Sequence, residues 1–229
     1  MPAVKHHDTA EHPVEGFRSV ALPGVPARPV RVYLPTDYQP KYAYPLVVLF
    51  HADGESEDHA ARLVPLLSRR NYVALCPRGS VNLGPRADGR PAFGWGTGAD
   101  RGARAALAHA TTEYTIHRDR VFLIGVGEGA AAALRFGLAH RDRVCGVVAL
   151  NGVLPTDRVP ANDLRVLIAS GTANPLMPPA ITRLAASRLA DAGATVRVAR
   201  YAGSPRARTD VLRDANRWIM DQIAKSARK

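Results

Sequence analysis

Residues 120–130 read Arg120-Val-Phe-Leu-Ile-Gly125-Val126-Gly127-Glu128-Gly129-Ala130, and this run decides the fold. Four consecutive apolar residues, Val121 to Ile124, are what a strand buried on both faces requires. They end on Gly125, and Gly127 and Gly129 follow at alternate positions. Glycines so spaced permit a turn too tight for side chains. The alanine-rich stretch behind them, 128–140, then carries a helical pattern. Strand, glycine turn and helix in immediate succession form one half of a β-α-β unit.

The same alternation extends in both directions. Upstream, 44–50 (YPLVVLF) is a second continuous apolar run, followed by Ala60, Leu63, Leu66 and Leu67 at helical spacing within 56–70. Ser56 is placed to cap that helix. Residues 72–76 give the next strand and 100–115 the next helix. Downstream, 145–150, 165–169 and 195–201 read as strands, with helices at 180–192 and 209–225. Two strand-like pieces, 17–22 and 29–34, precede all of this and are joined by a Pro/Gly turn. Eight strands result, the first two an antiparallel pair and the rest alternating with helices. This predicts a mostly parallel eight-stranded sheet with helices on both faces and no large lid. Residues 77–98, rich in Gly, Pro and Arg, read as a long loop.

The chain has 229 residues, 46% hydrophobic and 22% charged, which excludes a disordered polypeptide. We expect a flexible tail over residues 1–16 and one domain over 17–229. A domain of that size buries roughly 70% of its unfolded surface and needs no staple. Cys76 and Cys145 lie far apart in apolar surroundings and read as free thiols, which fits a reducing, cytoplasmic location. Residues 1–16 are polar, with no apolar core of a secretion signal. The longest apolar run is too short for a membrane span.

Ligands of such sheets bind beyond the carboxyl ends of the strands. Gly125-Val126-Gly127 stands where a G-x-S-x-G turn would present a nucleophile. Here the sequence resembles the α/β-hydrolase superfamily, in its phospholipase/carboxylesterase, polyester-depolymerase-like branch. The resemblance also rests on the strand ending in His51, on Cys76-Pro77-Arg78-Gly79, and on Phe93-Gly94-Trp95. It continues in Asp119-Arg120-Val121, in Val147-Val148-Ala149-Leu150-Asn151-Gly152, and in Gly171-Thr-Ala-Asn174-Pro-Leu-Met-Pro178. It implies the α/β-hydrolase fold across residues 17–225.

The chemistry the resemblance implies does not carry over. The nucleophile position is Gly127. The acid position is Asn174, which cannot stabilise an imidazolium by charge. The histidine loop after Tyr201-Ala202-Gly203 reads Ser204-Pro205-Arg206. None of the eight histidines falls within 141–229, so the order nucleophile, acid, histidine is unattainable. The oxyanion loop is His51-Ala52-Asp53-Gly54, and a carboxylate at Asp53 opposes a developing oxyanion.

Gly125-x-Gly127-x-x-Ala130 also matches a dinucleotide fingerprint, but it lies mid-chain and its next strand ends in Leu150-Asn151, with no acid for a ribose. No metal-ligand pattern appears, and no cofactor or metal is expected.

The readings that remain are a pseudoenzyme that binds a ligand or partner, a hydrolase rearranged around His51 with Ser170 or Ser204 (Ser80 is a further hydroxyl), and a structural homo-oligomer, a homodimer for instance. The candidate pocket and anion-binding residues are His51, Ala52, Asp53, Trp95, Gly127, Glu128, Ser170, Ser204, Arg206 and Arg208.

Net charge is +11, from 27 Arg and 4 Lys against 20 acids. Residues 197–229 hold nine bases and three acids, a net +6. Such a balance points to an anionic partner: a small anionic ligand or an acidic protein. No nucleic-acid module or basic run with interleaved aromatics is present to favour DNA or RNA.

Overall fold

A computed structural model of the chain describes residues 16–152, 160–175, 177–203 and 209–226. The order is β1 (Gly16–Leu22), β2 (Val25–Leu34), β3 (Tyr44–Phe50), α1 (Glu57–Leu67), β4 (Val73–Pro77), β5 (Val81–Pro85), β6 (Pro91–Gly94) and α2 (Ala99–Glu113). It continues with β7 (Ile116–Val126), α3 (Glu128–Ala139), β8 (Gly146–Leu150), β9 (Arg165–Gly171), α4 (Pro179–Asp191), β10 (Thr195–Tyr201) and α5 (Thr209–Ser226).

Eight strands form one sheet in the order β1-β2-β4-β3-β7-β8-β9-β10. β1 pairs with β2, and β2 with β4, antiparallel; every pairing from β4 to β10 is parallel. The central strands β3, β4 and β8 are buried along their whole length, as their unbroken apolar runs demand. One face carries α1 and α5, whose Ala60, Val64, Leu212 and Trp218 pack on Val47, Phe122 and Val148. The other face carries α2, α3 and α4 over Leu46, Val48, Leu123 and Val147. This is the α/β-hydrolase arrangement.

The chain moves from β3 to β4 on one side and later to β7 on the other, so the strand order reverses at β3. The crevice beyond β3 and β7 is therefore where such a sheet binds ligands, and it contains both His51 and the glycine turn.

Three expectations need correction. Residues 77–98 are not simply a loop: β5 and β6 form an antiparallel hairpin around Asp88-Gly89, where Gly89 has φ +77° and its N–H bonds to the Arg86 carbonyl. A three-residue loop ending in a left-handed glycine is a standard hairpin connection, but Val81 and Leu83 of β5 are exposed and β6 is only four residues long, so no alternation marks the strands. Ser56 occupies the N-cap position without capping; its Oγ bonds His59 Nδ1 instead, at 3.0 Å. Gly16, expected in the tail, opens β1; the rest of the tail lies outside the described residues. Both cysteines are free, Cys76 fully buried and Cys145 only partly. Among the described residues, no helix is long and apolar enough to cross a membrane.

Candidate functional site

The turn after β7 keeps the strained geometry of a nucleophile elbow. Gly127 has φ +56° and ψ −126°, an angle pair L side chains rarely adopt. Its neighbours fix the approach of α3. A Cβ on Gly125 would lie 2.3 Å from the Gly129 carbonyl oxygen, and one on Gly129 would lie 2.3 Å from the His51 carbonyl oxygen. The outer glycines thus let the α3 backbone touch the ends of β3 and β7. Gly127 is held by its own N–H on the Leu150 carbonyl, at 3.0 Å.

The oxyanion loop closes over this elbow. A Cβ at position 127 would meet the Ala52 Cβ at 3.0 Å. The Asp53 N–H donates to Glu128 Oε2 at 3.2 Å, so a side chain from the first turn of α3 ties down the loop after β3. Asp53 Oδ1 accepts the Trp95 N–H at 3.2 Å, and the Trp95 indole N–H donates to the His51 carbonyl at 2.7 Å. Burial raises the Asp53 carboxyl above its ordinary value; the Trp95 N–H opposes the shift and the Glu128 carboxylate adds to it. The crevice is therefore cross-braced from inside and edged by two carboxylates.

His51 is 1% exposed. Its Nε2 accepts the Gly79 N–H at 3.0 Å, which leaves the ring proton on Nδ1, donated to the Ala52 carbonyl at 2.8 Å. Burial lowers its pKa to about 4, although the Ala52 carbonyl and Glu57 pull the other way. The imidazole is a neutral strut between two loops. Trp95 lies against it, with ring centroids 4.7 Å apart.

The remaining hydroxyls and amides are also engaged. Ser170 is buried and its hydroxyl donates to the Met177 carbonyl at 3.3 Å. The Ser80 hydroxyl accepts the Gly96 N–H at 2.8 Å. Asn174, also buried, donates its amide to the Asn151 carbonyl at 3.1 Å, while Asn151 Oδ1 accepts the Gly171 N–H. At the acid position stands a donor tying the loops after β8 and β9. Asp could not make that bond, since an ionised carboxylate only accepts. Asn151, at φ +52°, is the partner that sequence reasoning did not single out. Ser204, Pro205, Arg206 and Arg208 lie outside the described residues.

The structure thus gathers His51, Ala52, Asp53, Trp95, Gly127 and Glu128 at one point and leaves Ser170 in a separate hydrogen-bond set. Beside Trp95 a cleft of about 530 Å³ runs over Phe50, Phe136 and Ala132, with Arg135 and Asp100 at its rim. Asp100 is already paired with Arg104 and His140. Among the described residues, no cluster of three or more His, Cys, Asp or Glu side chains could hold a metal.

A mostly parallel, doubly covered sheet with a glycine elbow after β7 is the α/β-hydrolase fold. The phospholipase/carboxylesterase family model matches residues 102–223, more than half of the sequence, and the chain belongs to that family. The chain is 30% identical over 169 residues to the putative esterase NocK of Nocardia uniformis subsp. tsuyamanensis, covering 71% of this chain but only 46% of that protein. The fold is similar to the Bacillus cereus carboxylesterase, with TM-score 0.67, 20% identity and coverage of 84% of this chain and 93% of that one. It is also similar to Arabidopsis thaliana SOBER1, with TM-score 0.66, 18% identity and coverage of 79% and 100%.

Proposed function

We propose that this chain is a catalytically silent member of the phospholipase/carboxylesterase family, retaining the esterase frame to bind a small anionic ligand or an acidic protein partner. The observation that carries this reading is the contact at the elbow: Gly127 offers no nucleophile, and Ala52 crowds the space a nucleophile's side chain would need. The buried neutral His51 supports it, since both ring nitrogens are committed to backbone partners. So does Asn174, whose amide serves as a structural donor. Loss of even one triad member costs on the order of 10⁴-fold in rate.

The proposal treats residues 17–229 as one domain and places the protein in a reducing compartment, in keeping with its two free thiols.

The test is hydrolysis of p-nitrophenyl butyrate by the purified chain. No turnover above the buffer rate is expected, and the His51→Ala variant should match wild type. Turnover that His51→Ala abolishes would favour a constellation rearranged around that residue instead. A structural homo-oligomer paired through a sheet edge or through α5 would show as a dimer mass in solution.

A further inference from the structure

On the α1 face of the sheet, beside the loops that hold His51, four arginines from separate parts of the chain line one cleft of about 470 Å³. Arg31 comes from β2, Arg62 from α1, Arg78 from the turn after β4, and Arg90 from the hairpin just before β6. Two of them are neutralised. Arg78 grips both oxygens of the buried Glu57 carboxylate through Nε, at 3.0 and 2.9 Å, and through Nη2, and its guanidinium lies 4.6 Å from the Phe93 ring centre. Arg31 Nε lies 2.9 Å from Asp58 Oδ1.

Arg62 and Arg90 are exposed and, among the described residues, have no ion-pair partner. Of the further acids near by, Glu55 acts on His59, and Asp88 is bound by the Arg90 backbone N–H, feels the Arg90 charge and lies 3.8 Å from Arg86. His59 also lines the cleft, and burial lowers its pKa, so it adds no charge at neutral pH. Four guanidinium groups against the two carboxylates Glu57 and Asp58 leave the cleft lining two charges positive, with the exposed Asp88 the counter-charge nearest Arg90 in sequence. Holding like charges around one concave opening costs stability, and a bound anion offsets that cost. Guanidinium groups match the oxygens of phosphate and carboxylate bidentately. Phe17, 43% exposed, and Pro91 give the same cleft an apolar wall.

We propose that this arginine cleft is a binding site for a compact dianion carried on a small apolar body, either a phosphomonoester or a short dicarboxylate. The proposal deepens the binding-protein reading and rests on it. The two are separable: ester turnover would overturn the silent elbow and leave the cleft standing, whereas absent binding would overturn only the cleft.

The test titrates the full chain, in low-salt buffer, with phenyl phosphate and separately with succinate, by calorimetry and by amide chemical shifts. Saturable binding is expected for at least one probe, with shifts centred on Ser56 to Arg62 and on Arg90. Binding of phenyl phosphate alone identifies the phosphomonoester, and binding of succinate alone the dicarboxylate. Arg62→Ala and Arg90→Ala should each weaken binding about tenfold. Arg213→Ala, the same charge loss on exposed α5, should leave it within about twofold. No saturation with either probe, or equal weakening by all three variants, overturns the proposal.

Discussion

The Ala52 methyl lies 3.0 Å from the point where a side chain on Gly127 would begin, so the loop after β3 and the glycine elbow after β7 are packed against each other. The relationship is reciprocal. A glycine at 127 lets the loop come in, and the loop leaves no room for a larger residue to return without movement.

Restoring a serine at the elbow should therefore cost stability without creating an enzyme. Gly127→Ser places a side chain at φ +56° and against Ala52, so a loss of about 1–3 kcal/mol is expected in urea unfolding. Adding Ala52→Gly should recover part of that loss, because the two positions are in contact and their effects should not add. A single Gly127→Ser variant as stable as wild type would show that the loop yields freely.

Restoring the acid should also be unfavourable. Asn174→Asp replaces the amide that donates to the Asn151 carbonyl with a buried carboxylate oxygen facing that same carbonyl. A destabilisation of about 1–3 kcal/mol is expected at neutral pH. It should shrink in acid, where a protonated carboxyl can donate. Chemical denaturation at two pH values measures both effects.

How much of this was legible in the sequence depends on the range of the interactions. The parallel sheet was readable because strands such as β3 and β8 must be apolar at every position. The β5–β6 hairpin was not, because β5 is exposed, β6 is too short to show a pattern, and only Asp88-Gly89 marks the turn. At the site, the identities of Gly127, Asn174 and His51 could be read, but their surroundings could not. Nothing local in Glu57-Asp58 or Cys76-Pro77-Arg78 signals that Glu57 is buried beneath Arg78, or that four arginines converge. Glu128 is legible as the residue that follows the glycine turn, but its bond to the Asp53 N–H depends on a loop distant in sequence.

Stability should depend on pH through His51. Its pKa falls from 6.5 to about 4 on folding, so the unfolded chain takes up a proton that the native chain refuses. Above pH 6.5 both states are neutral and the effect is absent. As pH falls towards 4, stability declines, by about 3 kcal/mol for the full shift. Asp53, raised on folding, pulls weakly the opposite way. Comparing wild type with His51→Gln isolates the histidine: the variant's curve should be flatter across this window, and parallel curves would show that His51 titrates normally.

The central claim is that no nucleophile stands ready at the elbow, and covalent labelling reads this most directly. The purified chain is incubated with a fluorophosphonate probe at neutral pH and its intact mass is followed against a denatured control. The account predicts no adduct beyond that of the denatured chain. Rapid, stoichiometric addition of one probe, lost on denaturation, would contradict it, and the labelled residue would identify the nucleophile.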